Sequence, residues 1–348
     1  MGDYNASASI FGWHFQINAS IYFMLEEIKG VSSIRVEGKD EDIELSLTSG
    51  KKVFIQAKSK SELGVDKGAT AKFSEGIKTL INASNSSDYE KFYYVTNYPN
   101  PLGGRNSYYY MFMGGEYVEH SFLSLPEEST KKAREIIGKI EKEHKLQLNL
   151  NHLNVAVIPF EGDKKHVRER IIQQKIKEFL SLLKLKEGLS NEILEVWQSD
   201  MFFNASQKDT SVNLSKKELM WPVISICCDL NEDDKIIEEA EDELGIEFDD
   251  IDLILSKYKY FINRQVERFD FVTQVLGDFN HHKESHRGNQ RKQDYFIDNN
   301  WTRYKEGLYS EEMDDEILEA LIKIILFKIL KNKRAINTMI REVNLNEI

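Results

Sequence analysis

Cysteine is nearly missing from this chain: Cys227 and Cys228 are its only two, and residues adjacent in sequence are poorly placed to bridge each other. A disulfide framework is thereby excluded, and a reducing, cytoplasmic setting is the expectation. Proline is scarce at 5 residues, and neither a low-complexity tract nor an internal repeat is present, so extended disorder is not expected. No leader of basic, apolar and small residues opens the chain. After Met1-Gly2, position 6 is Ala6 where myristoylation requires Ser or Thr. Long apolar runs are missing too: the stretch 321–330 is broken by Lys323 and Lys328, which excludes a membrane span there. Without a P-loop ending in Gly-Lys-Ser/Thr, any ATP hydrolysis is expected from a partner.

What is present is a chain of 348 residues, 41% hydrophobic, enough for roughly two globular domains with cores of their own. Its net charge of -12 argues against the whole surface being a nucleic-acid footprint, so the distribution of charge matters more than the sum. Between positions 51 and 78 lie seven lysines against three acids (Glu62, Asp66 and Glu75), a locally basic stretch. From 229 to 252 the balance reverses, with Lys235 alone relieving Asp233, Asp234, Glu238, Glu239, Asp242 and others. That stretch reads as a solvated face, or as a docking surface for a basic partner.

Hydrophobic spacing predicts a helix over 13–28, ended by Gly30. Three short strands follow at 33–37, 42–48 and 53–58, separated by turn residues at 38–40 and 49–50, then a helix at 73–83 and a strand at 91–96. A Pro/Gly-rich break at 97–105 precedes the tyrosine-rich segment 108–113, read as an edge strand or exposed loop. Further on come a charged helix at 127–144, a strand at 155–160, and helices near 165–183, 192–202, 215–228, 251–279 and 314–331. The domain boundary is placed near residue 230, with an α/β domain over 1–230 and a mostly α-helical one over 231–348.

Period-2 alternation puts Asp42 and Glu44 on one face of their strand while Ile43, Leu45 and Leu47 face the core. On the next strand Val53, Ile55 and Ala57 point inward, so Gln56, Lys58 and Lys60 stand on the other face. Two neighbouring strands thus present an acid, an amide and an amine together. Asp42 and the Gln56 carbonyl are hard oxygen ligands for a divalent cation, with the backbone oxygen of Ala57 as a third. Lys58 adds an amine able to orient an attacking water or to stabilise phosphorane-like charge. On the first helix Gln16, Ser20, Phe23 and Glu27 share a face by the ~100° per residue rule, so Gln16 or Glu27 can reach this site. From spacing alone, a plain solvated sheet face remains the other reading.

The ordered set Gly12-Trp-His-Phe-Gln16, Val36-Glu37, Glu41-Asp42-Ile43 and Ile55-Gln56-Ala57-Lys58 resembles the N-terminal PD-(D/E)xK nuclease domain of the CBASS-associated double-stranded DNA endonucleases. In that family Gln-x-Lys replaces the usual acid-x-Lys. The resemblance covers residues 8–100. It implies a restriction-endonuclease-like α/β core and Mg²⁺-dependent endonucleolytic cleavage of double-stranded DNA, with Mn²⁺ as the other cation. Asp42, Gln56 and Lys58 would be the active-site residues, supported by Glu37 and Gln16. A fainter similarity, over Arg291–Asp298 and Trp301–Leu308, is to the C-terminal region of nuclease subunits in Lamassu and ABC-three-component antiphage systems. It implies an effector subunit held inactive until an SMC-like ATPase partner senses foreign DNA, with a small third subunit. A helical domain that docks partners and drives homo-oligomerisation would complete it. The alternatives are a standalone restriction-like or RNA-cleaving toxin, and an inactive nuclease-fold binding module with Gln56 as the sign of decay. His281, His282 and His286 read as a basic helix end and not a metal site. The run Tyr108–Tyr110 reads as packing and not base stacking.

Overall fold

In the computed structural model the residues described are 7–61, 68–85, 88–103, 107–227, 269–282, 292–305 and 315–345, together with 244–246 and Ile254. Most of the acidic stretch at 229–252 and most of the helix expected over 251–279 therefore lie outside the described residues. The chain divides into two compact units: Met1–Leu182, Lys186–Leu219 and Val343–Ile348 form one, Leu183–Leu185 and Met220–Glu342 the other.

The first unit is built on a seven-stranded mixed sheet, ordered β5-β6-β4-β3-β2-β1-β7. The strands are β1 (Val31–Val36), β2 (Ile43–Leu47), β3 (Lys52–Lys58), β4 (Tyr89–Thr96), β5 (Val118–Ser121), β6 (Leu153–Val157) and β7 (Leu214–Ser215). The first three form the antiparallel meander expected from the turn residues, and β4 joins β3 in parallel after a helical crossover. That crossover is α2 (Ala69–Ala83), while α1 (Ser7–Glu26) precedes the sheet. The short strands β5 and β7 carry too few residues for an alternation to be visible. The segment 108–113 proves to be part of a 3-10 helix, Ser107–Phe112, and neither strand nor loop.

Apolar side chains along α1 are buried from Phe11 to Leu25 on nearly every side, as befits a helix enclosed on all faces. It contacts β1, β2 and β3 on one side and, on the other, α5 (Arg170–Leu182) and α6 (Ser190–Ser206), which follow the single turn α4 (Lys165–Arg168). The opposite face of the sheet is covered by α2 and α3 (Glu127–His144), whose Phe73, Ile77, Leu80, Ile137 and Ile140 share a core with Phe54, Phe92, Leu153 and Val155. Both faces of the sheet are thus buried. The face bearing Glu44 and Gln56 is not solvated, since these residues are 5% and 1% exposed. Below β1 the buried Arg35 guanidinium donates to the carbonyls of Asn204, Gln207 and Val212 at 2.7–3.0 Å, tying α6 and the following loop to the sheet.

After α7 (Lys216–Cys227), the second unit consists in its described part of α8 (Phe269–His281), α9 (Lys292–Asn300), a 3-10 turn (Trp301–Tyr304) and α10 (Asp315–Glu342). Leu318, Leu321, Ile322, Ile325 and Ile329 of α10 recur at helical spacing and are all buried. This part is helical, so an α/β domain followed by a mostly helical region describes the chain. Among the described residues no helix is long and apolar enough to cross a membrane.

One glycine sets the distance between α2 and the sheet. A Cβ on Gly76 would lie 2.6 Å from Tyr94 Cε2 and 3.0 Å from Gln56 Cγ. Gly76→Ala is expected to destabilise the protein by about 1–3 kcal/mol through overpacking, measured as a fall in the urea midpoint. An unchanged midpoint would show that α2 does not press on these side chains.

Candidate functional site

The site forms where the β1–β2 hairpin opens. Glu37 follows β1 with a positive φ of 53°, a left-handed conformation uncommon outside glycine. Its amide donates to the Asp42 carbonyl at 2.7 Å, and the Gly38 amide to the Glu41 carbonyl at 2.9 Å. Glu44 fastens the loop from inside: its Oε1 accepts from the Asp40 amide at 2.8 Å, and its Oε2 from Lys52 Nζ at 2.8 Å. Gly38 packs so closely on this carboxylate that a Cβ there would lie 2.2 Å from Glu44 Oε1.

This loop delivers two consecutive carboxyl groups, Glu41 and Asp42, to the end of β3. The pairing of Ile43 with Ile55 sets Asp42 beside Gln56. Asp42 Oδ2 accepts from the Ala57 amide at 3.1 Å and from Gln56 Nε2. Gln56 Oε1 in turn accepts from the Thr79 hydroxyl on α2. Thr79 also lies 3.2 Å from Glu41 Oε2 and 2.9 Å from the Gly76 carbonyl. One hydroxyl proton therefore faces three acceptors, and Glu41 Oε1 is buried with no hydrogen-bond partner at all.

Withdrawal from water raises both carboxyl pKa values. Burial pushes Asp42 up from 3.8 to about 6, opposed by the Lys58 ammonium and the Ala57 amide and assisted by Glu37. Burial, then the neighbouring Asp42, holds Glu41 well above the carboxylate range. Asp42 keeps part of its surface open while Glu41 is 5% exposed, so the pair is approached from the Asp42 side.

Of the residues expected at the site, Asp42, Gln56, Lys58, Glu37 and Gln16 are brought together. Gln16 Nε2 bridges Glu37 Oε1 at 2.8 Å and the Asp42 carbonyl at 3.0 Å, bracing the loop from α1. Lys58 ends β3 and acts on Asp42 and Glu41 through its charge. The strand end is pinned by Asn97, which exchanges hydrogen bonds with the Lys60 backbone at 2.8 and 2.9 Å. Ala57 contributes its amide to Asp42. Glu27 goes elsewhere and pairs with Lys91. Sequence reasoning missed Glu41 and Thr79. The acid pair Glu41-Asp42 at a strand entrance was a signal for the first. The small Gly76 three residues before Thr79, on the helix face toward β3, was one for the second.

A divalent cation fits this donor set. Two carboxylates and an amide oxygen are hard ligands, and the orphaned Glu41 oxygen is a lone pair for which the protein provides no donor. Among the described residues no group of three or more His, Cys, Asp or Glu could hold a metal ion, so the Gln56 amide would have to serve as the third side-chain ligand.

No family model matches the chain, and no curated protein matches it. Among solved structures, it is similar to the Acinetobacter baumannii Cap4 SAVED/CARF-domain containing receptor with the cyclic trinucleotide 3'3'3'-cAAA, at 12% identity and a TM-score of 0.37 over 61% of this chain and 44% of that one. The corresponding Moraxella osloensis receptor gives 14% and 0.38 over 64% and 48%. The Acinetobacter receptor with 2'3'3'-cAAA gives 11% and 0.37 over 61% and 44%. The matched region spans less than half of each of those proteins, and TM-scores below 0.5 carry no functional argument.

These comparisons correct the expected family. The matched structures are SAVED/CARF-domain containing receptors, not PD-(D/E)xK endonucleases or Lamassu or ABC-three-component nuclease subunits. Membership of that family, and the function of an effector subunit gated by an SMC-like ATPase, are withdrawn. The reason is physical: the motifs record an acid placed beside Gln-x-Lys by antiparallel register, a geometry many hairpins share, so they specify a local arrangement and not a lineage.

The raised pKa values carry a stability consequence. A carboxyl whose folded pKa lies above its unfolded one contributes stability that is fully present below pH 3.8 and lost as pH rises through about 6. Asp42→Asn, which keeps an acceptor for the Ala57 amide, is expected to be more stable than the wild type at pH 7.5. The gain should be about 1–2 kcal/mol, discounted for the open side of the group from the roughly 3 kcal/mol that the full shift would give. Urea titrations at pH 7.5 and pH 4 check this: the gain should vanish at the lower pH, and an equal gain at both would rule out the shifted carboxyl as its cause.

Proposed function

We propose that the first unit is a divalent-cation-dependent phosphodiesterase acting at the Asp42–Gln56–Lys58 site. The observation that carries this reading is the buried Glu41 and Asp42 pair, short of donors and facing the Lys58 charge. Glu41, Asp42 and the Gln56 carbonyl would hold Mg²⁺ or Mn²⁺. When bound, the cation supplies Lewis-acid polarisation of a phosphate and acidification of water.

The chain's own residues do the rest. The Lys58 charge acts on both carboxyl groups, so this ammonium would attract a phosphate and stabilise negative charge that grows on it as the bond breaks. Gln16 and Glu37 are positioning residues, because they hold the loop carrying Asp42 and touch it through the backbone. Gln56 divides its amide between Asp42 and Thr79, fixing Asp42 against β3 at the cost of one negative charge for the cation. The expected restriction-endonuclease-like core belongs to this proposal; its support is the order α1-β1-β2-β3-α2-β4, with the site at the β2–β3 junction.

The first test is cleavage of plasmid DNA with Mg²⁺. Lys58→Ala is expected to lower the rate about 10²-fold or more, and at subsaturating Mg²⁺ the wild-type rate should rise with pH through about 6 as Asp42 of the cation-free protein ionises. A readout independent of turnover is thermal stabilisation by Mg²⁺ at pH 7.5, expected in the wild type, lost in Glu41→Gln and enlarged in Gln56→Glu. The same preparation is offered a cyclic trinucleotide as a second phosphodiester. Binding of either substrate without turnover in the presence of Mg²⁺ would replace hydrolysis with recognition as the role of this site.

A further inference from the structure

Among the described residues of the second unit, several cations have a carboxylate. Lys323 pairs with Asp298 and Glu319, Lys305 with Asp315, Arg303 with Asp278, and Arg341 with Glu342. Lys292 and Lys333 do not. Their ammonium groups converge on a single aromatic ring instead, at 4.8 and 4.5 Å from the centroid of Phe279. Lys292 opens α9 and Lys333 lies in the C-terminal half of α10, so two helices bring these charges to the end of α8. Partial burial and then the charge of Lys292 lower the pKa of Lys333, which is the electrostatic cost of holding the two together.

Three residues beyond Phe279, just past the end of α8, stands His282. Its ring packs against Tyr295 and Phe296, with centroids 5.8 and 5.4 Å away, and its Nε2 is buried without a hydrogen-bond partner. Two ammonium groups at one ring, with no carboxylate among the described residues paired to either, are a local reversal of sign on a chain of net charge -12. A polyanion relieves the repulsion between the two lysines.

We infer that the helical unit carries a docking point for the phosphate backbone of a nucleic acid, built from Lys292 and Lys333 around Phe279. The ring itself is 5% exposed and already flanked by both lysines, so it is not a platform for stacking a base. Recognition is therefore of phosphate, without readout of sequence. The inference does not rest on hydrolysis at the Asp42 site, because it concerns binding alone.

The test uses the full chain in EDTA, where cation-dependent cleavage is silent. Binding of fluorescent duplexes of two unrelated sequences is followed by anisotropy across a range of salt. Lys292→Glu/Lys333→Glu should weaken binding to both duplexes about tenfold or more. It should also reduce the slope of log K against log salt by about 2, one for each phosphate contact. Lys164→Glu/Lys208→Glu, with the same change of net charge on exposed residues of the first unit, should leave the slope near the wild-type value. Should the reversed pair fail to fold, Lys292→Gln/Lys333→Gln carries the loss and Lys292→Arg/Lys333→Arg must retain binding. An unchanged slope in the folded variant overturns the inference. So does preferential binding of polyglutamate over a DNA of equal charge, which would make this a site for acidic polypeptides.

Discussion

Two carboxyl groups drawn out of water at the mouth of a β-hairpin govern this fold and its chemistry. A buried acid without enough donors is costly, and the cost falls only by taking up a proton or a cation. Around Glu41 and Asp42 the protein supplies the Ala57 amide, the Gln56 amide and one Thr79 hydroxyl, and leaves a Glu41 oxygen unpartnered. The rest of the first unit holds it in place: Glu44 closes the loop, Gln16 braces it from α1, Asn97 pins the strand end, and Gly76 lets α2 approach Gln56.

That scaffold works because the sheet is covered on both faces. If the Glu44 and Gln56 face were open to solvent, Asp42 would titrate as an ordinary carboxyl and Lys58 would be one more screened surface amine. With α2 and α3 laid over it, the local dielectric is low and the field of Lys58 reaches both acids. The covering helix and the chemistry are thus parts of one design, and the seven-lysine stretch that spans β3 and α2 surrounds the same site in sequence.

The parts of this legible in the sequence were those set by local periodicity. The three strands of the meander, α2, β4 and the charged helix α3 follow from alternation, turn residues and helical spacing. Asp42, Gln56 and Lys58 were legible as one group through strand alternation and Gln16 through helix phase, whereas Glu37 was legible only through the resemblance of the motifs. Burial of their face was not, since α2 covers it through Phe73 and Ile77, and a strand's alternation does not say what packs on its polar side. Glu41 escaped for the same reason: one residue off the strand's period, it reaches Thr79 only because the loop turns at Glu37. The two-residue strand β7 has no periodicity to read, and its place is set by pairing with β1 at a separation of about 180 residues. Family identity was the least legible, because the motif residues encode a hairpin geometry and not ancestry.

The most direct test is to follow the side-chain carboxyl carbons of Asp42 and Glu41 by NMR as pH is varied, without and with Mg²⁺. Asp42 should titrate near pH 6 without the cation. With Mg²⁺ its midpoint should fall to about 4 or below, and Glu41 should follow it downward as a bound cation favours the charged forms. A midpoint near 3.8 that Mg²⁺ does not move would contradict the account, leaving these carboxyl groups as structural acids with no cation to receive.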